Sequence, residues 1–260
     1  MTPGMGVPLR IASAATDAPN PPTRTWGTAG SRCVSAARQA GVQYANIERR
    51  GDPADTAVVR AVAGALLCLS LCACRDRWRE RADPSRTTTE PQQTAIAAAD
   101  PISFEKNGYR ITLRARADYR VAGYALETSS ALLDRWDFAM PLDVALAWGP
   151  AADPRALKHL KTHLSRRYLS FWYSGSDPAF GIVQRHISNH HLIPADAAME
   201  KALRRIREGA LVTLRGKLVD VEIADRDGHT RFKSPTSLSR DDAGSGACEQ
   251  VWVEEVEIDR

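Results

Sequence analysis

The chain has 260 residues, 43% of them hydrophobic, which is enough to bury a sizeable core in one or two domains. The formal net charge is +4, but its placement is uneven: residues 1–73 carry seven arginines against four acidic residues, and residues 74–260 carry 28 basic against 27 acidic residues. A nucleic-acid-binding domain usually has a basic excess of its own. The near-neutral C-terminal part therefore argues against nucleic acid as the partner.

Residues 1–57 form a leader dominated by proline, glycine, alanine, serine, threonine and arginine. Its hydrophobic periodicity is weak, so the composition predicts a disordered segment. An alternative interpretation is that the leader is not translated, because Val58, Val59 or Val62 could correspond to an alternative start codon.

Residues 58–73 contain the main apolar run of the N-terminal half. Arg60 is followed by 14 uncharged, mostly apolar residues that end at Cys74. A helix needs about 20 residues to span a bilayer, whereas a run of this length is typical of the hydrophobic region of a signal peptide. The alternatives are a plain signal peptide without lipidation and a short buried helix.

The end of this run, Leu71-Cys72-Ala73-Cys74, resembles the lipobox of bacterial lipoproteins. The resemblance implies cleavage after Ala73 and lipidation of Cys74, and hence a chain that is lipid-anchored in the cell envelope and faces the periplasm. Arg75 replaces the aspartate associated with inner-membrane retention, which favours the outer membrane. Residues 74–100 then read as a flexible tether, and Cys248 is the one thiol left outside the anchor.

Residues 101–260 are predicted to form a single domain. Alternating residues predict strands over 109–116 and 119–126, with a turn at Ala117-Asp118. Residues 142–149 fit a strand or a helix. Asp153 and Pro154 indicate the start of a helix that continues along Leu157, Leu160 and Leu164, and residues 167–173 are typical of a strand.

Asp196 predicts the N-cap of a second helix that ends at Gly209. The period then switches to two, with a phase change at Leu218-Val219 that a bulge or bend would produce, and a similar change recurs within residues 251–258. Asp225–Gly228 predicts a hairpin turn. These patterns predict an α+β fold: a mainly antiparallel, strongly curved, barrel-like sheet, with OB type as one option, and two or three helices.

Four motifs in this domain resemble a family of uncharacterised bacterial membrane-anchored or secreted domains. They are Trp148-Gly149, Ser188-Asn189-x-His191-Leu192-Ile193-Pro194, Gly216-x-Leu218-Val219, and Ser239-Arg240-Asp241-Asp242-x-Gly244-x-Gly246-x-Cys248-Glu249. The resemblance spans most of residues 104–258. It implies a shared fold and attaches no activity to the chain.

Histidines concentrate in residues 186–194, which we interpret as a loop before the second helix. Within it His191 has two interpretations, a buried structural anchor, which is favoured, or a general base. A hydrolase would use His191 with Cys248 as nucleophile and Asp242 or Glu249 as orienter. A metal site would combine histidines of this loop with His159 and His163, which would share one helix face.

The preferred function is a non-catalytic binding or assembly module of the envelope, with no cofactor and no metal. Its partners are the membrane, through the lipid anchor, and an unknown envelope protein or glycan. The predicted binding surface consists of Trp148, Trp172, Asn189, His191 and Arg240. The alternatives are the hydrolase or histidine-bound metal above, and OB-like binding of nucleic acid or oligosaccharide, which the charge distribution does not favour.

Overall fold

The computed structural model describes residues 9–12, 77–97, 100–130 and 134–259. The signal-like run at 58–73 and the lipidation candidate Cys74 lie outside these residues, as does the leader apart from Leu9–Ala12. The strands are β1 Leu9–Ala12, β2 Gln92–Ala95, β3 Ile102–Lys106, β4 Tyr109–Ser129, β5 Leu142–Ala147, β6 Leu160–Ser165, β7 Tyr168–Tyr173, β8 Ile187–Pro194, β9 Leu211–Ala224, β10 Thr230–Ser234, β11 Gly244–Ser245 and β12 Glu249–Asp259. The α-helices are α1 Arg77–Arg81, α2 Pro154–Leu157, α3 Phe180–Arg185 and α4 Ala197–Leu203. Short 3₁₀ turns cover Pro84–Arg86 and Gly149–Ala152.

The main sheet is arranged around β4, which pairs with β9 along one edge and with β3, β2 and β5 in turn along the other. One edge pairs with β9 over Arg110–Tyr124, and the other with β5 over Tyr124–Ser129. β5 pairs with β8, β8 with β12 and β12 with β9, so the pairing path returns to β4. The β8–β12 pair is parallel and the others are antiparallel. The prediction of a mainly antiparallel α+β fold is confirmed.

Each of the five strands in this path contributes to one apolar cluster. Representative members, one from each strand, are Val121, Leu146, Leu192, Leu214 and Val251. All five are fully buried. Alternate residues of a strand point to opposite faces, so this cluster covers one face of the sheet while other residues cover the opposite face.

Two irregularities interrupt the pairing register of the long strands. The β4–β9 register shifts at Arg116, opposite Leu218 and Val219, and the β9–β12 register shifts at Glu254. The phase change expected at Leu218-Val219 is therefore confirmed, although the extra residue belongs to the partner strand. The turn expected at Ala117-Asp118 is wrong, because a bulge lets β4 continue while its side chains change face.

Gly216 of β9 stands opposite Val253 of β12, next to the register shift between the two strands. A Cβ added there would meet the Trp252 carbonyl oxygen at 1.9 Å, which no side chain tolerates. Glycine at this position therefore permits the close approach of the two paired backbones.

The helix predicted after Asp153 is much shorter than expected. Asp153 does cap α2, accepting a hydrogen bond from the Arg155 backbone N–H at 2.7 Å. Leu160 and Leu164, however, belong to β6. A separation of four residues keeps two side chains on one face of a strand as well as of a helix, so the leucine spacing did not distinguish the two.

The second helix begins as predicted and ends early. The Asp196 carboxylate accepts a hydrogen bond from the Met199 backbone N–H at 2.7 Å, which confirms the N-cap. The helix ends at Leu203, and Gly209 instead turns the chain with φ +83° while its N–H donates to the Ala125 carbonyl at 2.8 Å. Gly209 therefore begins the connection to β9.

Residues 77–97 pack against the domain, which corrects the flexible tether predicted for 74–100. Trp78 stacks on Tyr124 with ring centroids 5.9 Å apart. The Arg79 guanidinium donates to the Leu157 carbonyl at 2.9 Å. The aromatic ring and the arginine stem supply buried area that the composition of the segment did not indicate.

No helix in residues 77–97, 100–130 or 134–259 is long and apolar enough to cross a bilayer.

Candidate functional site

The histidine-rich segment is not a loop but the buried strand β8. Every residue from Ile187 to Ile193 is buried, and Pro194 is half-buried. The strand lies between β5 and β12, so both of its edges and both of its faces are covered. The loop prediction failed because polar side chains can be buried in a central strand when each finds a partner inside the protein.

Strand register divides the polar residues of β8 between two faces. His191 lies beside Asp143 of β5 and Gln250 of β12, while His190 lies beside Glu249. Neighbouring positions of a strand point to opposite faces. The two histidines therefore belong to two separate polar networks, one on each side of the sheet.

The first network is centred on Arg167. Its guanidinium is 5% exposed and contacts three carboxylates: Nε lies 2.7 Å from Asp134, Nη2 3.0 Å from Asp137, and Nη1 3.2 Å from Asp143. Asp143 is fully buried and also lies 2.8 Å from Nδ1 of His191. Such a cluster holds its members in place, because each buried charge has an opposite charge or hydrogen-bond partner within reach.

Arg167 reaches this network from the turn of the β6–β7 hairpin. Arg166 and Arg167 both have positive φ, 49° and 65°, and the tight turn aims the second side chain at the sheet. The Asn189 side-chain amide donates to the Arg167 carbonyl at 3.0 Å. Backbone and side chain of one residue therefore fix the hairpin onto the face formed by β5, β8 and β12.

Cys248 lies on the same face and faces the core. It is fully buried, and its sulfur is 3.7 Å from the Asn189 side-chain nitrogen. Burial, with a smaller contribution from the Glu249 charge, raises the pKa of the Cys248 thiol well above its usual value. A thiol in this state is a poor nucleophile.

The residues proposed for a hydrolase do not form the expected chain of contacts. His191 bonds to Asp143, which was not among the candidates. Asp242 accepts a hydrogen bond from the Ser237 hydroxyl at 2.6 Å, and Glu249 belongs to the opposite face. The geometry contradicts a triad of Cys248, His191 and either acid.

The second network lies on the opposite face of β8, the face that carries Leu192 and the apolar cluster. Nε2 of His190 is 3.0 Å from the Tyr119 hydroxyl, and both residues are buried. The Ser188 hydroxyl donates to Glu249, whose other oxygen pairs with Arg240. Burial lowers the pKa of His190 to about 4, with Glu249 opposing this shift and Arg240 adding to it, so the ring is neutral at pH 7.

The predicted binding surface is largely inside the protein. Trp148, Asn189 and His191 are fully buried, and the Arg240 side chain is 15% exposed. Trp172, at 38%, is the exposed member. A sequence gives no direct measure of exposure for tryptophan or histidine, which are found both in cores and on surfaces.

The histidine metal site is also contradicted within the described residues. His163 lies on β6 and not on a helix shared with His159. The group in the described part of the chain that comes close to metal-ligand spacing is Asp225, Asp227 and His229. There Asp225 accepts hydrogen bonds from the backbone N–H groups of the other two, which makes the group the capped hairpin turn that the sequence predicted.

Three residues central to the networks were not singled out from the sequence: Tyr119, Asp143 and Arg167. Asp143 carried a usable signal, since it is the charged residue inside the apolar run Leu142–Ala147. A carboxylate in a fully buried strand needs a cation or hydrogen-bond donors. Its partner Arg167 lies 24 residues away, and no local pattern links the two.

No family model matches the chain, and neither a curated protein nor a solved structure shows significant similarity to it. The resemblance to a family of uncharacterised bacterial envelope domains therefore stays a prediction.

Proposed function

We propose that the chain is an envelope-anchored lipoprotein domain that acts as a non-catalytic binding or assembly module. The observation that carries the non-catalytic part is the burial of the reactive groups. His190, His191 and Cys248 are each fully buried and held by neighbours. Catalysis needs a reactive group within hydrogen-bond reach of a substrate, and these side chains face packed protein.

We also propose that the five-stranded ring is an OB-type barrel. In chain order the ring strands are β4, β5, β8, β9 and β12, and their spatial order around the ring is β4-β5-β8-β12-β9. The helix α4 lies between the third and fourth of these strands. A five-stranded Greek-key ring with these connections is the arrangement expected of an OB fold.

The β6–β7 hairpin argues against OB-like binding of nucleic acid or oligosaccharide, which would use the face that the hairpin covers. OB folds bind such ligands on the face of their second and third strands, here β5 and β8. That face is covered by the hairpin, with Arg167 already neutralised by three aspartates. The near-neutral charge of residues 74–260 points the same way.

The anchoring part of the proposal rests on the apolar run, the lipobox-like residues and the position of the domain after them. We propose that the mature chain begins at lipidated Cys74, that it faces the periplasm, and that the outer membrane retains it. A partner would then be another envelope protein or a glycan. Because residues 77–97 pack on the domain, its folded part would begin within a few residues of the lipid anchor.

Metabolic labelling with radioactive palmitate in a bacterial host tests the anchor. The wild-type chain is expected to take up label and the Cys74→Ala variant to lose it, since the acyl chains need that cysteine. Cys72→Ala is the matched control, because it removes a cysteine two residues away and should keep the label. Label that persists in Cys74→Ala would refute the anchor.

A further inference from the structure

One edge of β7 pairs with four residues of the leader, the strand β1. β7 pairs with β6 along one edge and with β1 along the other, antiparallel, from Leu9 opposite Phe171 to Ala12 opposite Tyr168. β1 also pairs with β11, in parallel, with Ile11 opposite Gly244. The four leader residues therefore lie between two strand edges of the domain.

Without those four residues, β7 presents an edge with little protection against further pairing. Its six residues, Tyr-Leu-Ser-Phe-Trp-Tyr, include neither a charge nor a proline. Native edge strands usually carry one of these to prevent pairing with other chains. An aromatic, uncharged edge is suited to accepting another strand.

Apolar surface continues beside this edge. Phe171 of β7 stacks on Phe180 with ring centroids 5.9 Å apart, and Phe180 remains 37% exposed. Trp172 and Ile182 add exposed fractions of 38% and 44%. Together these side chains offer contacts to residues that flank an added strand.

We propose that the groove between β7 and β11 is a strand-addition site, and that its occupant in the processed protein is an extended segment of a partner polypeptide. This rests on the proposed function, in which cleavage before Cys74 removes residues 9–12. In the unprocessed chain the leader fills the site itself. The site then becomes available when the protein reaches its anchor.

The register specifies the chemistry of the partner segment. Leu9 and Ile11 stand opposite Phe171 and Leu169, whose side chains are buried. Arg10 stands opposite half-buried Ser170. The partner segment should therefore be at least four residues long, with apolar residues at alternate positions and a polar residue between them, antiparallel to β7.

The test uses the full chain and a fluorescent peptide of residues 7–14, followed by fluorescence anisotropy. Ile11→Pro should free the groove, because proline cannot donate to a ladder and Ile11 has a strand on each side. In the wild type the tethered segment competes at an effective concentration on the order of mM, so the peptide should bind at least about tenfold more weakly than to Ile11→Pro. Gly6→Pro, outside the paired residues, should match the wild type.

A peptide carrying proline in place of Ile11 should not bind. Amide hydrogen exchange of residues 168–173 gives a second readout: protection should fall in Ile11→Pro and return when the peptide is added. Equal peptide affinity for wild type and Ile11→Pro would overturn the proposal, as would unchanged protection.

Concentration-dependent dimerisation of Ile11→Pro that the peptide does not reverse would also overturn it, in favour of pairing with a second copy. Neither readout depends on processing. A wild-type chain that takes up no palmitate but binds the peptide as Ile11→Pro would contradict the anchor alone, and a labelled chain whose Ile11→Pro variant does not bind the peptide would contradict the groove alone.

Discussion

Replacing Arg167 by methionine removes the charge at the centre of the first network while keeping most of the side-chain length. Asp143 is 0% exposed and Arg167 5% exposed, so the variant leaves a buried carboxylate with His191 as its remaining partner. Breaking a buried pair from one side costs about 3–5 kcal/mol. The contacts with Asp134 and Asp137, 25% and 35% exposed, add at most about 1 kcal/mol each.

A loss of this size is large for a single domain, whose total stability is about 5–15 kcal/mol. Urea unfolding followed by tryptophan fluorescence measures it as a fall in the midpoint at unchanged slope. Arg166→Met is the matched control, because Arg166 belongs to the same turn, also has positive φ and is exposed. The control should change stability by less than about 0.5 kcal/mol.

Equal stability of Arg167→Met and Arg166→Met would refute the reasoning. A second variant separates the lost charge pair from lost packing: adding Asp143→Asn to Arg167→Met removes the uncompensated carboxylate. This double variant should recover part of the stability. A further loss on adding Asp143→Asn would mean that the Arg167 charge is not what stabilises Asp143.

Folding lowers the pKa of His190 from 6.5 to about 4, so the stability that the protein gains from keeping this ring neutral is complete above pH 6.5 and is lost as the pH falls towards 4, by at most about 3 kcal/mol. His190→Asn should therefore flatten the curve of unfolding free energy against pH between these values. A curve unchanged by the substitution would contradict this prediction. Gly216→Ala should lower the free energy of unfolding by on the order of 2 kcal/mol or more, because the added Cβ meets the Trp252 carbonyl oxygen. Gly181→Ala is the control, since its Cβ would enter open space and should not destabilise the protein. Similar unfolding midpoints for the two variants would disprove the close approach of β9 and β12 at Gly216. Cys248 should resist iodoacetamide in the native chain and react after unfolding, as peptide mapping by mass spectrometry would show, and rapid native alkylation would revive the hydrolase alternative.

Local patterns in the sequence predicted several of the strands and turns, but not β6 or β8. Period-two alternation located β4, β9 and β12, and short-range hydrogen-bond chemistry identified the caps at Asp153 and Asp196 and the turn at Asp225–Gly228. These features depend on residues within a few positions of one another, so the information is present in the sequence itself.

The tertiary structure alone decided what the polar residues of β8 do. His190 and His191 face opposite sides because β8 is a strand, and their partners Tyr119 and Asp143 are 71 and 48 residues away. Which distant side chain meets a buried histidine depends on the register between strands and on the path of the hairpin, and neither has a local signature. For the same reason, the sequence did not show that the histidine-rich segment, predicted as a loop, is a buried strand.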